Sequence, residues 1–233
     1  MNALITGSSK GIGLAIARKF ASEGINLILC SRNIIELESV RSELLEINSN
    51  IEVLCFASDL STANGVKTLA DFVKSNGSSL NILVNNAGVY LSGNITQEND
   101  GLLEKMMNTN LYSAYYLTID LLDLIKSSSP SYIFNMCSIA GINTYPNGSL
   151  YCISKFAMNG FSKCLREELK KDKVKVCTIY PGATWSDSWK GAEIPISRIM
   201  EANDIAEAIS CCLKMSSSAV VEEIVMRPQL GDL

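Results

Sequence analysis

Short aliphatic runs alternate with helix-like stretches along the whole chain, and this alternation constrains the fold more than any single residue. NALIT (2–6) reads as a strand, and GLAIARKFASEG (13–24) as a helix ending at Gly24. INLILC (25–30) and IEVLCF (51–56) flank a charged helical pattern over 33–48. TANGVKTLADFVKSNG (62–77) opens on a Ser61/Thr62 cap and closes at Gly77. NILVN (81–85), SYIFNMC (131–137), VKVCTIY (174–180) and EEIVM (222–226) are further strand-like runs. Long helical patterns occupy 101–127 and 149–171, and a shorter one 203–215. The stretch 182–202 is less regular. Strand, helix, strand in this order predicts an α/β chain: a doubly wound parallel sheet of about seven strands with helices on both faces. Such sheets bind ligands at the carboxyl ends of their strands.

Composition narrows the rest. With 233 residues, 47% hydrophobic and 19% charged, the chain is expected to form a single domain over 1–233 with a full core. A net charge of -4 argues against nucleic-acid binding, which needs a basic face. The chain has no histidine, so Ser-His-Asp hydrolysis, Cys-His proteolysis and the usual zinc enzymes are excluded. None of the eight cysteines forms C-x-x-C, and several sit in apolar runs, which reads as buried thiols in a reducing compartment. The N-terminal MNALITGSSKGIG has no basic segment and no cleavage-like site after it. No run nears the roughly 18 apolar residues of a membrane span. A cytoplasmic protein without a membrane partner is expected.

The turn Thr6-Gly7-Ser8-Ser9-Lys10-Gly11-Ile12-Gly13 joins the first strand to the first helix. Gly7, Gly11 and Gly13 let the backbone turn tightly and approach a pyrophosphate, while the helix N-terminus through Ser9, Lys10 and Ile12 supplies N–H donors. The spacing is G-x-x-x-G-x-G and lacks the G-K-[ST] ending of a nucleotide triphosphatase loop. An NAD site usually has a carboxylate after the second strand, about 20 residues on. Here that place reads Cys30-Ser31-Arg32-Asn33. Arg32 and Lys10 are either partners for a 2′-phosphate, favouring NADP(H) over NAD(H), or plain solvated charges. Asp59-Leu60 follows the third strand and Asn85-Asn86-Ala87-Gly88 the fourth, both at strand ends.

Tyr151 and Lys155 stand four apart in a helical stretch and so share a face. A free tyrosine, with a pKa near 10, is a poor base at neutral pH. A neighbouring ammonium is expected to lower that value and let the phenol replace the absent imidazole. Ser138, at the end of the fifth strand, can donate to a carbonyl oxygen. Asn110 lies inside a helical pattern, where a polar amide is mildly unfavourable. It either bends the helix and holds a water near Lys155 or is an exposed helix residue.

Together TGSSKGIG, DL, NNAG, NTNL, Ser138, YCISK and Pro181-Gly182 resemble the motifs of the short-chain dehydrogenase/reductase family, in the family's order. The resemblance spans about 1–182 and the last strand. It implies a Rossmann-like fold and hydride transfer with NAD(P)(H). It implies Tyr151 as catalytic acid/base, Lys155 as its partner and a ribose ligand, Ser138 orienting the substrate, and Asn110 anchoring a relay water. Gly7, Ile12, Arg32, Asp59, Leu60, Asn86, Ala87 and Gly88 would line the cofactor, and Pro181, Gly182 and Thr184 would meet its nicotinamide end. Thr184 stands where the family often has Val, and Ser186 where it has Thr. The family's substrate lid falls at 183–202, where Trp185 and Trp189 either form an aromatic wall or pack the lid on the body. The helices over 101–127 and 149–171 match the family's pairing surface, so a homo-oligomer, dimer or tetramer, is expected.

The expected activity is an NADP-dependent reduction of a small carbonyl compound, or the reverse oxidation. One alternative is a 3-oxoacyl-carrier-protein reductase, which wants a basic patch such as Lys190 and Arg198 at the pocket mouth. Another is a non-catalytic NADP-sensing regulator, a role in which the tyrosine or lysine is often lost.

Overall fold

The computed structural model describes residues 1–77, 79–97, 101–186 and 194–232. Seven parallel strands form one sheet: β1 (Asn2–Thr6), β2 (Asn26–Ser31), β3 (Val53–Ala57), β4 (Ile82–Asn85), β5 (Ser131–Met136), β6 (Val174–Pro181) and β7 (Glu223–Met226). Their order is β3-β2-β1-β4-β5-β6-β7, so the winding reverses between β1 and β4. At that reversal, connections leave the two strands in opposite directions and a crevice opens at their carboxyl ends. The helices are α1 (Gly11–Ser22), α2 (Ile34–Ile47), α3 (Ala63–Asn76), α4 (Leu102–Met107), α5 (Ser113–Lys126), α6 (Ser149–Leu169) and α7 (Ala202–Leu213).

Burial follows sheet position. Every residue of β4 and β5 is buried, as expected for central parallel strands covered on both faces. The edge strand β7 alternates exposed and half-buried residues. On one face Ile16, Phe20, Leu37, Leu44 and Ile209 of α1, α2 and α7 pack on alternate residues of the sheet. On the other, α3, α5 and α6 contribute Leu69, Leu117, Leu121 and Leu165. The caps agree with the sequence reading: Thr62 Oγ1 accepts from Gly65 N at 3.0 Å to start α3. Gly24, at φ +76°, turns the chain after α1.

The predicted helix over 101–127 is two α-helices joined by a π-helical turn, Asn108–Tyr112. Such turns insert one extra residue per loop of hydrogen bonding and recur at functional sites. Sequence periodicity alone does not show a single inserted residue.

A buried polar bridge fixes α5 and α6 to the sheet. Asn85 of β4 stands beside Asn135 of β5 in the ladder. Asn85 Nδ2 donates to Asn135 Oδ1 at 2.8 Å and to Thr118 Oγ1 of α5 at 3.1 Å. Asn135 Nδ2 donates to Ser162 Oγ of α6 at 2.8 Å. Buried amides are costly unless paired, so this bridge sets helix position as well as stability. Asn135→Ala is expected to destabilise the protein by about 1–3 kcal/mol, read as a lower urea midpoint with an unchanged slope.

Candidate active site

The glycine-rich turn is held from below by the end of β4. Thr6 Oγ1 accepts from the backbone N–H of both Asn86 and Ala87, each at 2.9 Å, and donates to Val84 O at 3.2 Å. Asn86 Nδ2 returns two bonds, to Thr6 O at 2.8 Å and Gly7 O at 3.0 Å. Ser8, fully buried, anchors the turn's other side by donating from its N–H and hydroxyl to Cys30 O of β2. Asn86, expected to line a cofactor, is therefore first a clamp on the turn. Thr6 and Ser8 were missed by sequence reasoning. Their signal is a hydroxyl in a position that the strand pattern would give to an apolar side chain.

Gly7 and Gly11 adopt φ of +64° and +56°, which a side chain strongly disfavours. No side chain caps α1, and no acidic residue stands in its first turn. No carboxylate of that turn competes for its N-terminal N–H groups and dipole, which fits a pyrophosphate. Arg32 follows β2 and is exposed. Asp59 Oδ1 accepts from Ser61 N at 3.0 Å and Ser61 Oγ at 2.8 Å. These bonds hold the Asp59 carboxyl below its usual range, with the nearby Arg32 charge adding to the effect. Leu60 is buried in the core under α3. The glycine turn and the helix N-terminus behind it fit a dinucleotide, with the exposed Arg32 at the end of β2.

Ser138 follows β5, and Tyr151 and Lys155 lie on the first turns of α6. Lys155 is 4% exposed, and its Nζ donates to Met136 O at 2.9 Å, 5.6 Å from the centre of the Tyr151 ring. Burial pushes the Tyr151 phenol well above its ordinary value, with contact from the Ser138 hydroxyl opposing it. Burial also pulls the Lys155 ammonium down. The expectation that Lys155 lowers the tyrosine is therefore not met: desolvation dominates, and both groups are driven toward their neutral forms. Ser138 Oγ accepts from Ala140 N at 3.1 Å and lies 3.5 Å from Pro181 O, which brings the end of β6 to the same place.

Asn110 sits in the π-helical turn and is fully buried, which removes the exposed-residue reading. Its Oδ1 accepts from Val89 N at 2.7 Å, and its Nδ2 donates to Val89 O at 3.0 Å and Ser154 Oγ at 2.9 Å. Ser154 in turn donates to Tyr151 O at 2.8 Å. Gly88 leaves the room between these groups, since a Cβ there would meet Asn110 Oδ1 at 3.3 Å and Lys155 Nζ at 3.6 Å. The sequence missed Ser154, a small polar residue inside the Tyr-x-x-x-Lys spacing.

Thr184 is buried and donates to Gly182 O at 3.0 Å. It pairs with Met200 as a single β-bridge. Trp189 and Lys190 lie outside the described residues. Arg198 does not form a free basic patch: its guanidinium donates to Gly231 O at 2.8 Å and Asp232 O at 2.9 Å, holding the C-terminal tail. Among the described residues no group of histidine, cysteine or acidic side chains can hold a metal ion. No described helix is long and apolar enough to cross a membrane.

Known proteins resemble this chain along most of its length. A family model described as short chain dehydrogenase matches residues 1–194. A sepiapterin reductase of Chlorobaculum tepidum is 31% identical over 99% of this chain and 97% of its own length. An alcohol dehydrogenase of the archaeon Thermococcus sibiricus, solved with 5-hydroxy-NADP, superposes with a TM-score of 0.90 at 27% identity, covering 100% of this chain and 98% of that one. L-Sorbose reductase of Gluconobacter frateurii, solved with NADPH and L-sorbose, gives 0.89 at 27% identity over 97% and 95%.

The closeness of turn and clamp makes Gly13 a sharp probe. A Cβ at Gly13 would lie 2.6 Å from Asn86 Nδ2 and 2.9 Å from the Gly7 carbonyl carbon, with the Gly7 oxygen closer still. Alanine gains about 1 kcal/mol of helix propensity over glycine. Here that gain is outweighed by a clash with backbone, which cannot swing away. Gly13→Ala is expected to lower stability by about 1–3 kcal/mol in urea melts and to weaken dinucleotide binding in the same preparation.

Proposed function

The chain belongs to the short-chain dehydrogenase/reductase family of oxidoreductases, and on that premise we propose that it transfers a hydride between NADP(H) and a carbonyl or alcohol substrate, with Tyr151 as acid/base. The observation that carries the reading is the convergence of Ser138, Tyr151 and the buried Lys155 at the strand ends, beside the Gly88 gap and the uncapped α1 turn. NADPH, when bound, supplies the hydride. The Ser138 hydroxyl turns toward the substrate oxygen and steadies the charge that develops there. The protonated Tyr151 phenol donates its proton to that oxygen, and in the oxidative direction takes one back. Lys155 stands beside the phenol, its Nζ 5.6 Å from the centre of the Tyr151 ring. Asn110 acts through Ser154 and Val89, holding α6 and the turn after β4 in register.

Gly7, Ser9, Lys10, Gly11, Ile12 and Gly13 would cradle the pyrophosphate. Arg32 would pair with the 2′-phosphate, and Asp59, Ala87 and Gly88 would border the adenosine half. Pro181, Gly182 and Thr184 would border the nicotinamide. The absence of a carboxylate after β2 supports NADP(H) over NAD(H), as do the two solved neighbours named with that type of cofactor. The exposed rings Tyr112, Tyr115 and Tyr116 of the α5 region, with Ile119, Ile153 and Phe156, support self-association of this chain.

A phenol raised by burial is protonated through the neutral range, the form that reduction needs. In Tyr151→Phe, ketone reduction is expected to fall about 10²–10⁴-fold while NADPH still binds, as read by fluorescence. In the wild type, kcat/KM for reduction should hold across neutrality and fall only above the ordinary tyrosine value of about 10. Alcohol oxidation, which needs the phenolate, should rise with pH over the same range. A reduction limb centred near neutrality would show that the ammonium, not burial, governs the phenol.

Arg32→Glu tests cofactor choice. Loss of a charge-assisted bond of about 1.5–3 kcal/mol corresponds to a tenfold or greater loss of NADPH affinity, with NADH affinity unchanged or improved. Titration of both nucleotides at low ionic strength, where exposed charges are least screened, measures it.

A further inference from the structure

Two loops meet above the Tyr151 ring, the one after β4 and the one before α6. They are stitched at Asn147, a non-glycine residue held at φ +61°. Asn147 O accepts from Gly93 N at 3.1 Å and Ser92 Oγ at 3.2 Å. Its side chain and N–H pair with the Asn94 amide, each bond at 3.1 Å. Residues in such conformations persist only where surroundings hold them, and here the pairing does so.

The clamp brings two more tyrosines to the reacting one. The Tyr90 ring stands edge-on to Tyr151, with centres 5.2 Å apart. Tyr145 lies against Gly148, where a Cβ would meet its Cδ2 and Cζ at 2.8 Å. Burial raises the Tyr145 phenol, with Cys152 and Tyr90 as charged-form neighbours, and Tyr145 itself adds to the rise at Tyr151. Yet Tyr90 and Tyr145 remain 46% and 37% exposed. Both rings are thus partly packed and partly open to solvent. The Asn147 O, N–H and Oδ1 and the Ser92 hydroxyl are spent between the two loops, and the half-exposed rings are the apolar part of this rim.

We propose that Tyr90 and Tyr145, set by the Asn147 clamp and the missing side chain at Gly148, form an aromatic wall that selects substrates carrying a flat aromatic ring beside the reacting carbonyl. The inference rests on the carbonyl reductase reading for its turnover arm only. Edge or face contacts between aromatic rings add about 0.5–1.5 kcal/mol beyond the area they bury. Acetophenone and cyclohexyl methyl ketone share a carbon framework and differ in aromaticity. With NADPH the wild type is expected to favour acetophenone by about fivefold in kcat/KM, from one to two such contacts, carried by KM.

Gly148→Ala is the sharpest variant. Gly148 sits at φ -120° and ψ 14°, which alanine tolerates, so its methyl displaces the Tyr145 ring and leaves the backbone in place. In Gly148→Ala and Tyr145→Leu the preference should fall to near one. Calorimetric binding of 1-phenylethanol against 1-cyclohexylethanol, with and without NADP+, reads the wall without turnover. Selective binding of the phenyl alcohol that Gly148→Ala abolishes supports the wall even if neither ketone is reduced, an outcome that would sink the reductase reading alone. Equal binding of the two alcohols, binding of neither, or a preference that survives in both variants overturns the wall.

Discussion

The Thr6 hydroxyl is the point on which the site depends. It takes two backbone N–H groups from the turn after β4 and gives its proton to Val84 O, while Asn86 returns its amide to the turn after β1. β1 and β4 are neighbours in the sheet but 80 positions apart at their starts, Asn2 and Ile82 being separated by a β2-β3 excursion. Parallel neighbours cannot be joined by a short hairpin, so their ends must be aligned by side chains. Without that alignment the two loops would diverge at the reversal of the winding, and the crevice would have no defined floor.

A second constraint is the burial of ionisable groups. Lys155 reaches only a backbone carbonyl and the face of a phenol ring, with no carboxylate partner in the described hydrogen bonds. Desolvation then favours the neutral form of each group, which is costly unless the surroundings supply dipoles. The surroundings do so through Met136 O for the ammonium and Ser138 for the phenol. The Asn85–Asn135 bridge ties β4 and β5 to α5 and α6, and Asn110 ties the π-helical turn to α6. The polar interior thus places the helices that carry the reacting groups, while the two apolar layers supply the bulk of the burial.

The legible parts were those with local causes. Strand alternation and caps identified each element to within a few residues, and the glycine turn, Ser138 and the Tyr-x-x-x-Lys spacing all fell at strand ends or on one helix face. The errors have a common origin. Lys155 was expected to lower the Tyr151 phenol, because spacing shows proximity but not desolvation. Arg198 was offered as a free cation, because its partners are carbonyls of a tail some thirty residues away. The π-helical turn was invisible, because one inserted residue leaves the apolar periodicity on either side intact.

By itself the sequence determined the sheet, its winding direction and the chemical groups available, since these follow from patterns repeated every two or about four residues. Only the tertiary structure decided what those groups face. Asn86 became a clamp, Asn110 a buried strut, and Tyr90 and Tyr145 neighbours of Tyr151, through contacts between residues 21 to 80 positions apart or between separate loops. Local pattern carries no record of such distances. Burial and partner geometry, which set both proton affinity and the shape of the crevice, exist only once the layers have packed.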